Sequence, residues 1–393
     1  MASTESPVTS AWLGELGSEL AALDARALRR TVLTPETGQG ERVTIDGRSL
    51  LNLTSNNYLG LAHDPRVIEG AVAAARTYGA SVSASRLLCG STPLHEELEE
   101  RLAALKGQER ALLYGAGYLA NLGVLTALAG PEDAIFSDAL NHASIIDGCR
   151  LSGATTKVYR HLDLDDLGEL LAATPSRRRL IVSETVFSMD GDLAPLPGLV
   201  ALARRHDAIL VIDEAHATGV LGADGGGALS HFGLDSEGLI VVGTLSKALG
   251  SAGGFVAANA TVIDYLLNRS RPFIFNTALP PASVGAALAA LDVVAAEPER
   301  RENLADLAAC LREGLAAAGH PATTSETQIV PLVLGPAEAA LAAERALREA
   351  GVLAKAIRPP TVPEGTARIR FNLMATHTVD DVDRVLAAVA PPV

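Results

Sequence analysis

The chain has few cysteines, few aromatic residues and no concentrated block of positive charge. Its 393 residues include three cysteines and one tryptophan. The cysteines, Cys89, Cys149 and Cys310, are too scattered for a disulfide framework and lack the spacing of metal ligands, which predicts a cytoplasmic protein without a metal site. A net charge of -14 with no Lys/Arg-rich block argues against a nucleic-acid partner. Small molecules are therefore the expected ligands.

Targeting and membrane signals are also missing. Residues 1–20, MASTESPVTSAWLGELGSEL, have neither the basic start nor the apolar core of a signal peptide. One uncharged run, residues 111–131, is long enough to span a bilayer, but it contains four glycines and Asn121. A buried helix entered through a glycine turn explains the same residues, so we expect no membrane association.

Helical stretches alternate with short apolar runs through the middle of the chain. Four such runs contain no regularly alternating polar residues: LIVSET (180–185), AILVID (208–213), LIVVGT (239–244) and GFVAA (254–258). Continuous apolar runs are typical of strands buried on both faces. The pattern predicts an α/β fold with a mainly parallel central sheet.

The flanking segments predict smaller units. Leucines at helical spacing indicate an N-terminal helix near residues 11–30, and QIVPLVLG and ARIRFNL indicate strands of a C-terminal α/β domain that closes with a helix starting at Thr378. We therefore expect three regions, namely an N-terminal helix and arm (residues 1–50), a large α/β domain (51–285) and a small C-terminal α/β domain (286–393).

The strongest chemical signal is the segment GTLSKALGSAGG. Lys247 follows a buried strand by three residues and lies among small residues. An unpaired ammonium is costly to bury, and partial burial lowers the pKa of an amine, as a nucleophilic lysine requires. A lysine that extends from a strand end into solvent is the alternative interpretation.

A second signal is VIDEAHATG, in which Asp213 ends a strand and His216 follows three residues later. Ligands of open α/β sheets bind at the carboxyl ends of the strands, so these residues and 244–247 are expected to converge. Taken alone, Asp213 could instead cap a helix or bind a metal. DEAH also occurs in helicases, but the chain has no GxxxxGK[ST] phosphate loop.

Two further segments could contribute to a ligand site. LYGAGYLAN reads as a strand end, a glycine turn and a helix start, where the N–H groups of Gly117 and Tyr118 could bind a phosphate monoester. GAGYLA misses the full GxGxxG dinucleotide pattern, which argues against a dehydrogenase. His142 in SDALNHASIIDG lies in a polar turn before a helix, where it could be a helix cap or a catalytic residue.

Together these segments resemble the α-oxoamine synthase family of pyridoxal-phosphate (PLP) enzymes, over about residues 23–389. The likeness requires seven motifs in order: SNNYLGL (55–61), GYLAN (117–121), NHAS (141–144), ETVFSMDGD (184–192), DEAHATG (213–219), TLSKALGSAGG (244–254) and RPPTVPEGTARIR (358–370). The resemblance implies the PLP-dependent transferase fold of the aspartate-aminotransferase type. It also implies PLP as cofactor.

The resemblance implies a role for each matching position. In the cofactor site, Lys247 is expected to bind PLP as a Schiff base, Asp213 to pair with the pyridine nitrogen and His142 to stack on the ring. The other expected cofactor contacts are to the ring hydroxyl and the phosphate: Ser188, His216, Thr244, Gly117 and Tyr118. The expected substrate contacts are to the carboxylate and acyl groups: Asn56, Arg358, Thr361 and Arg29.

Within the family, RPPTVPEGTARIR and NTALPP (276–281) resemble the branch that condenses L-alanine with a pimeloyl thioester in biotin synthesis. The alternatives are relatives that use glycine, such as glycine C-acetyltransferase and 5-aminolevulinate synthase, or a catalytically silent member. The family also implies a homodimer with active sites at the interface, to which residues 270–281 are expected to contribute.

Overall fold

The computed structural model describes the backbone of residues 7–389 and the side chains of residues 11–389. Within that range the helices are α1 (Pro7–Ala25), α2 (Pro65–Tyr78), α3 (Pro93–Leu105), α4 (Gly117–Leu128), α5 (Ala143–Ser152), α6 (Leu164–Ala173), α7 (Leu196–Arg205), α8 (Ala228–Phe232), α9 (Ala260–Arg269), α10 (Arg271–Ile274), α11 (Pro281–Ala296), α12 (Glu299–Ala317), α13 (Ala337–Glu349) and α14 (Val379–Ala388). The strands are β1 (Arg42–Ile45), β2 (Arg48–Asn52), β3 (Arg110–Tyr114), β4 (Ala134–Asp138), β5 (Thr155–Tyr159), β6 (Arg179–Glu184), β7 (Ala208–Asp213), β8 (Leu239–Thr244), β9 (Gly254–Ala258), β10 (Ile329–Gly335), β11 (Val352–Leu353), β12 (Lys355–Ile357) and β13 (Ala367–Asn372).

A seven-stranded sheet forms the centre of the molecule, in the order β3-β9-β8-β7-β6-β4-β5. Strands β8, β7, β6, β4 and β5 pair in parallel, whereas β9 pairs antiparallel with both β3 and β8. Helices connect the parallel strands and cover the sheet, as parallel pairing requires. The predicted mainly parallel α/β fold is confirmed.

The sheet is buried on both faces because successive residues of its strands enter two different cores. Ile240 and Val242 of β8 join Leu180 of β6 in one apolar cluster. Val241 and Ile181, the intervening residues, belong to the cluster on the other face. Full burial of each such side chain stabilises the fold by about 1.5–3 kcal/mol. Continuous apolar runs therefore form these strands.

The uncharged run at 111–131 folds as the sequence predicts. It contains the end of β3, a turn at Gly115 and helix α4, whose buried face packs on the sheet. Within residues 7–389, no helix is both long enough and apolar enough to cross a membrane.

Helix α1 ends earlier than the leucine spacing predicts. The prediction extended it to about Arg30, but a Schellman turn ends it at Ala25: Leu28 N donates to Leu23 O, and Ala27 N donates to Asp24 O. Ala27 has a φ of 56° there, a left-handed conformation that stops the helix. The leucine stripe is exposed in the single chain, at Leu13, Leu16, Leu20 and Leu23.

Two three-stranded sheets complete the fold, β10-β13-β12 and β1-β2-β11. The second sheet joins the N-terminal arm to the C-terminal part, since β2 pairs in parallel with β11. The predicted boundary after residue 285 falls inside α11, and the division into three regions stays a prediction. Helix α14 starts as predicted, with Thr378 and Asp381 forming its capping box.

Candidate active site

The carboxyl ends of the parallel strands bring the main candidate residues together. Asp213 ends β7, and the register places it directly beside Glu184 at the end of β6. Thr244 ends β8, and Lys247 follows three residues later. Neighbouring parallel strands point in one direction, so their ends form one edge where ligands bind.

Lys247 is half-buried, and its amine lies beside His216. Nζ of Lys247 and Nε2 of His216 are 2.8 Å apart. Burial lowers the pKa of Lys247 to about 8, although the negative charge of Asp213 opposes that shift. About a tenth of the amine is therefore neutral at pH 7, and the neutral amine is the nucleophilic and basic form.

His216 connects Lys247 to a second group of polar side chains. Its Nδ1 is 2.7 Å from the hydroxyl of Tyr58, which donates to Asn56 Oδ1 at 3.1 Å. Burial, and then the neighbouring charge of Lys247, hold the pKa of His216 well below its usual value. A neutral imidazole donates from one ring nitrogen and accepts at the other, so His216 can link Lys247 and Tyr58. Arg370 completes this group by donating to Asn56 Oδ1 at 2.7 Å.

Asp213 is fixed by two hydrogen bonds. Its Oδ2 accepts from Asn121 Nδ2 at 2.7 Å and its Oδ1 accepts from the Ala215 N–H at 2.8 Å. Donors on both oxygens favour the ionised carboxylate. Asn121 Nδ2 also donates to Ser144 Oγ at 2.9 Å, and that hydroxyl is 2.8 Å from Nδ1 of His142. One network therefore holds the carboxylate and the imidazole.

His142 caps helix α5 and also faces the site. Its Nδ1 accepts from the Ser144 N–H at 3.2 Å. The ring borders an open cavity, and partial burial by the surrounding protein lowers the pKa of His142. A neutral ring whose Nδ1 accepts carries its proton on Nε2, which is then free to donate. The cap and catalytic interpretations of His142 are therefore compatible.

The start of α4 has backbone N–H groups that no side chain caps. Ala116, the N-cap residue, offers no side-chain cap, so the first N–H groups of the helix, at Gly117 and Tyr118, have no side-chain acceptor. The Thr244 side chain is close by, since a Cβ on Gly117 would lie 3.3 Å from Thr244 Cβ. Gly254 permits this approach, because a Cβ there would lie 2.4 Å from Gly117 N.

A cavity of about 910 Å³ opens from His142 and Ser188 toward the end of α1 and residues 359–364. Ser188 is buried beside it, and Thr361 lies in its wall, where its hydroxyl accepts from Arg30 at 3.2 Å. Its lining is mostly apolar, which suits an acyl chain.

Three of the predicted substrate residues do not converge. Asn56 lies with Arg370 and Tyr58, whereas the guanidinium of Arg358 donates to the carbonyls of Ala27 and Arg29. The side chain of Arg29 is exposed and pairs with Asp24 at 2.6 Å.

Four residues of the site were missed as individual candidates, namely Tyr58, Asn121, Glu184 and Arg370. All four lie in motifs that had been noticed, and Glu184 had a signal of its own, since it lies near the end of an apolar run beside the run that ends in Asp213. Arg370 ends the motif RPPTVPEGTARIR, but the motif does not show its contact with Asn56, because the fold alone brings β13 to residues 54–58.

Comparisons with known proteins identify the family. Residues 48–389 match the family model for aminotransferase class I and II. The 8-amino-7-oxononanoate synthase of Anaeromyxobacter dehalogenans (strain 2CP-1) is 52% identical over 375 residues, or 95% of this chain and 94% of that protein.

Solved structures share the fold. Serine palmitoyltransferase from S. paucimobilis, with a bound PLP–myriocin aldimine, has a TM-score of 0.90 and 33% identity, covering 98% of this chain and 97% of that one. The 8-amino-7-oxononanoate synthase of Francisella tularensis has a TM-score of 0.75 and 29% identity, covering 86% and 96%.

The side chains present fit PLP. An uncapped helix N-terminus beside Thr244 suits the phosphate, the ionised Asp213 suits a protonated ring nitrogen, and the lowered pKa of Lys247 suits bonding to an aldehyde. Among the residues that the structure describes, no cluster of His, Cys, Asp and Glu is arranged to hold a metal ion. The chain belongs to the class I and II aminotransferase family, within it to the α-oxoamine synthases, and its cofactor is PLP.

Proposed function

We propose that this chain has 8-amino-7-oxononanoate synthase activity, the PLP-dependent condensation of L-alanine with a pimeloyl thioester in biotin synthesis. The reaction releases the alanine carboxyl group as CO2, and the thioester is carried by coenzyme A or by acyl carrier protein. Several curated proteins of that name are about half identical to this chain over nearly its whole length, which supports the assignment.

The observation that carries the proposal is the convergence of Lys247, Asp213 and His142 at one edge of the sheet. A basic amine, an ionised carboxylate and a ring that can stack are the groups that amino-acid chemistry on PLP requires. Bound PLP supplies an electron sink for negative charge at the substrate Cα.

Lys247 acts as the base in this proposal. Its pKa of about 8 leaves part of the amine neutral, so Nζ can take the Cα proton, and His216 at 2.8 Å holds that nitrogen in place. Asp213, oriented by Asn121, would keep a proton on the ring nitrogen of bound PLP. Ser188 and His216 are assigned to the ring hydroxyl of PLP. Thr244 and the N–H groups at 117–118 are assigned to the phosphate.

His142 has two tasks in the proposal. It stacks on the ring, and its Nε2–H donates to the acyl oxygen as negative charge develops there, because Nδ1 is already an acceptor for Ser144. The apolar cavity beside His142 receives the acyl chain.

We assign the substrate carboxylate to Asn56 and Arg358, as the family resemblance implies, and add Arg370, which already donates to Asn56. The guanidinium of Arg358 can reach Asn56 and Arg370 only if it leaves the carbonyls of Ala27 and Arg29. Thr361 and Arg29 are assigned to the acyl substrate. Thr361 already lines the cavity.

We also propose a homodimer in the cytoplasm. Large apolar side chains that would be buried by a second copy are exposed in the single chain, notably Leu88 (81%) and Phe275 (71%), the latter within residues 270–281. Three free cysteines fit a reducing compartment. Light scattering at several concentrations measures the oligomeric state, and a monomer at all of them would contradict the dimer.

The activity is tested by CO2 release from the PLP-loaded protein. Pimeloyl-CoA is supplied with L-alanine, glycine or L-serine in parallel, and the product is identified by mass spectrometry. We expect release with L-alanine and formation of 8-amino-7-oxononanoate. Release with glycine alone, or with L-serine alone, would keep the PLP family and remove the assignment to biotin synthesis.

A further inference from the structure

Glu184 is a buried acid that the reaction described above does not use. It is 3% exposed, and its Oε1 has no hydrogen-bond partner among the described residues. None of the ion pairs formed within those residues includes it. An ionised carboxylate is costly to bury without a paired charge, so the surroundings of Glu184 favour its protonated form.

The neighbours of Glu184 are all parts of the cofactor site. Strand register places it beside Asp213, and residues in register on adjacent parallel strands project to the same face of a sheet. The charged or titratable groups that act on its carboxyl are Asp213 from β7 and Lys247 from the loop after β8. The backbone at His142 and at Ser188, in the loops after β4 and β6, lies close enough to the Glu184 carboxyl to lower its pKa.

Glu184 and Asp213 form a pair of unlike acids. Asp213 receives hydrogen bonds on both oxygens, which favours its charge. Burial, and then the charge of Asp213, raise the pKa of Glu184 to about 8, while Lys247 and the backbone of the two loops oppose the rise. Two adjacent carboxyl groups that cannot both ionise share one proton, and here the proton belongs on Glu184.

We propose that Glu184 is a positioning residue of the cofactor site, which keeps its proton beside the ionised Asp213 and holds the backbone at His142 and at Ser188. The imidazole and the hydroxyl are thereby fixed around the ring. The proposal rests on the proposed function only in requiring PLP, so its tests use neither L-alanine nor a thioester.

The first test follows the proton. In the PLP-loaded protein, ionisation of Glu184 adds a second negative charge near the nitrogen that joins Lys247 to the cofactor, and so favours the protonated nitrogen. We expect the visible absorbance of the wild type to titrate in two coupled steps. Glu184→Gln cannot ionise, so we expect one step, displaced to lower pH by about one unit. An unchanged titration would overturn the proposal.

An infrared difference spectrum identifies the proton directly. The wild type minus Glu184→Gln should show the C=O stretch of a protonated carboxyl at acidic pH, and this band should vanish as the pH rises through about 8. Glu214→Gln is the matched control, because Glu214 is also fully buried but is paired with Lys106. If the Glu214→Gln protein also lacks the band, or if the wild type does not show it, the assignment to Glu184 is contradicted.

The second test measures positioning through the affinity for PLP. Glu184→Ala removes the carboxyl that lies beside both loops and should raise the PLP dissociation constant about tenfold or more. The increase for Glu184→Gln should be several-fold smaller. Thermal melting of the PLP-free proteins separates lost folding from lost positioning. Equal affinity in the wild type and Glu184→Ala, or equal losses in both variants, would overturn the role.

Discussion

The buried ion pair between Lys106 and Glu214 makes a quantitative prediction about stability. Both side chains are completely buried. Nζ of Lys106 donates to Glu214 Oε2, to Thr218 Oγ1 at 2.9 Å and to Gly226 O at 2.7 Å, so its three protons all have acceptors. We expect Lys106→Met, which keeps the side-chain length, to destabilise the protein strongly.

The magnitude follows from what remains after the change. Glu214 keeps two hydrogen bonds, from the N–H groups of Ala228 at 2.7 Å and Leu229 at 3.3 Å, but loses its counter-charge. Removing one partner of a buried pair costs about 3–5 kcal/mol, because the other charge stays buried. Lys106→Met with Glu214→Gln leaves no uncompensated charge, so we expect the double variant to recover about 2 kcal/mol of that loss.

Urea unfolding of the PLP-free proteins, followed by circular dichroism at one protein concentration, measures these differences. Arg110→Met is the control, since its pair with Asp264 lies at the surface and should contribute less than about 1 kcal/mol. A loss below about 1 kcal/mol for Lys106→Met, or a double variant less stable than the single one, would refute the reasoning from buried charge.

Three further substitutions test two residues of the site and one half-buried histidine. Lys247→Ala should abolish turnover and the visible band of covalently bound PLP while circular dichroism shows an intact fold, and residual turnover would remove its role as the base. His142→Phe keeps a ring that can stack but loses Nε2–H, so kcat should fall about 10²-fold or more with PLP binding retained; an unchanged kcat would leave only stacking. Burial alone would lower the pKa of His161, but hydrogen bonds to Asp138 and Asp192 raise it to about 9. Its stabilising effect is therefore complete below about pH 6.5 and is lost as the pH rises through 9, so the deficit of His161→Asn in urea, up to about 3 kcal/mol, should shrink over that range; a deficit independent of pH would contradict an ionic role.

Buried strands were the most predictable part of the fold. The bounds predicted for β7, β8 and β9 agree with the structure because each apolar run ends where a polar residue or a turn begins. Helix α1 was predicted to extend too far, since leucine spacing contains no information about the Schellman turn at Ala27. Local patterns specify what is buried but not the backbone turn that ends a helix.

The candidate site was predictable where one motif contains both a strand and its chemistry. Asp213 ends one buried strand and Lys247 follows the next, and parallel pairing brings the strand ends together. Contacts between distant segments were not predictable. Arg370 joins Asn56 across more than 300 residues, and Asn121 links Asp213 to Ser144 from a helix at another point of the chain.

The sheet β1-β2-β11 affects how the chain folds during synthesis. Leu51 and Asn52 pair with Val352 and Leu353, which leave the ribosome about 300 residues later. At about 5–20 residues per second, the arm waits roughly 15 to 60 s for that strand. During this interval the apolar side chains of β1 and β2 lack their final cover, so the nascent arm presents an unpaired edge to chaperones or to other nascent chains.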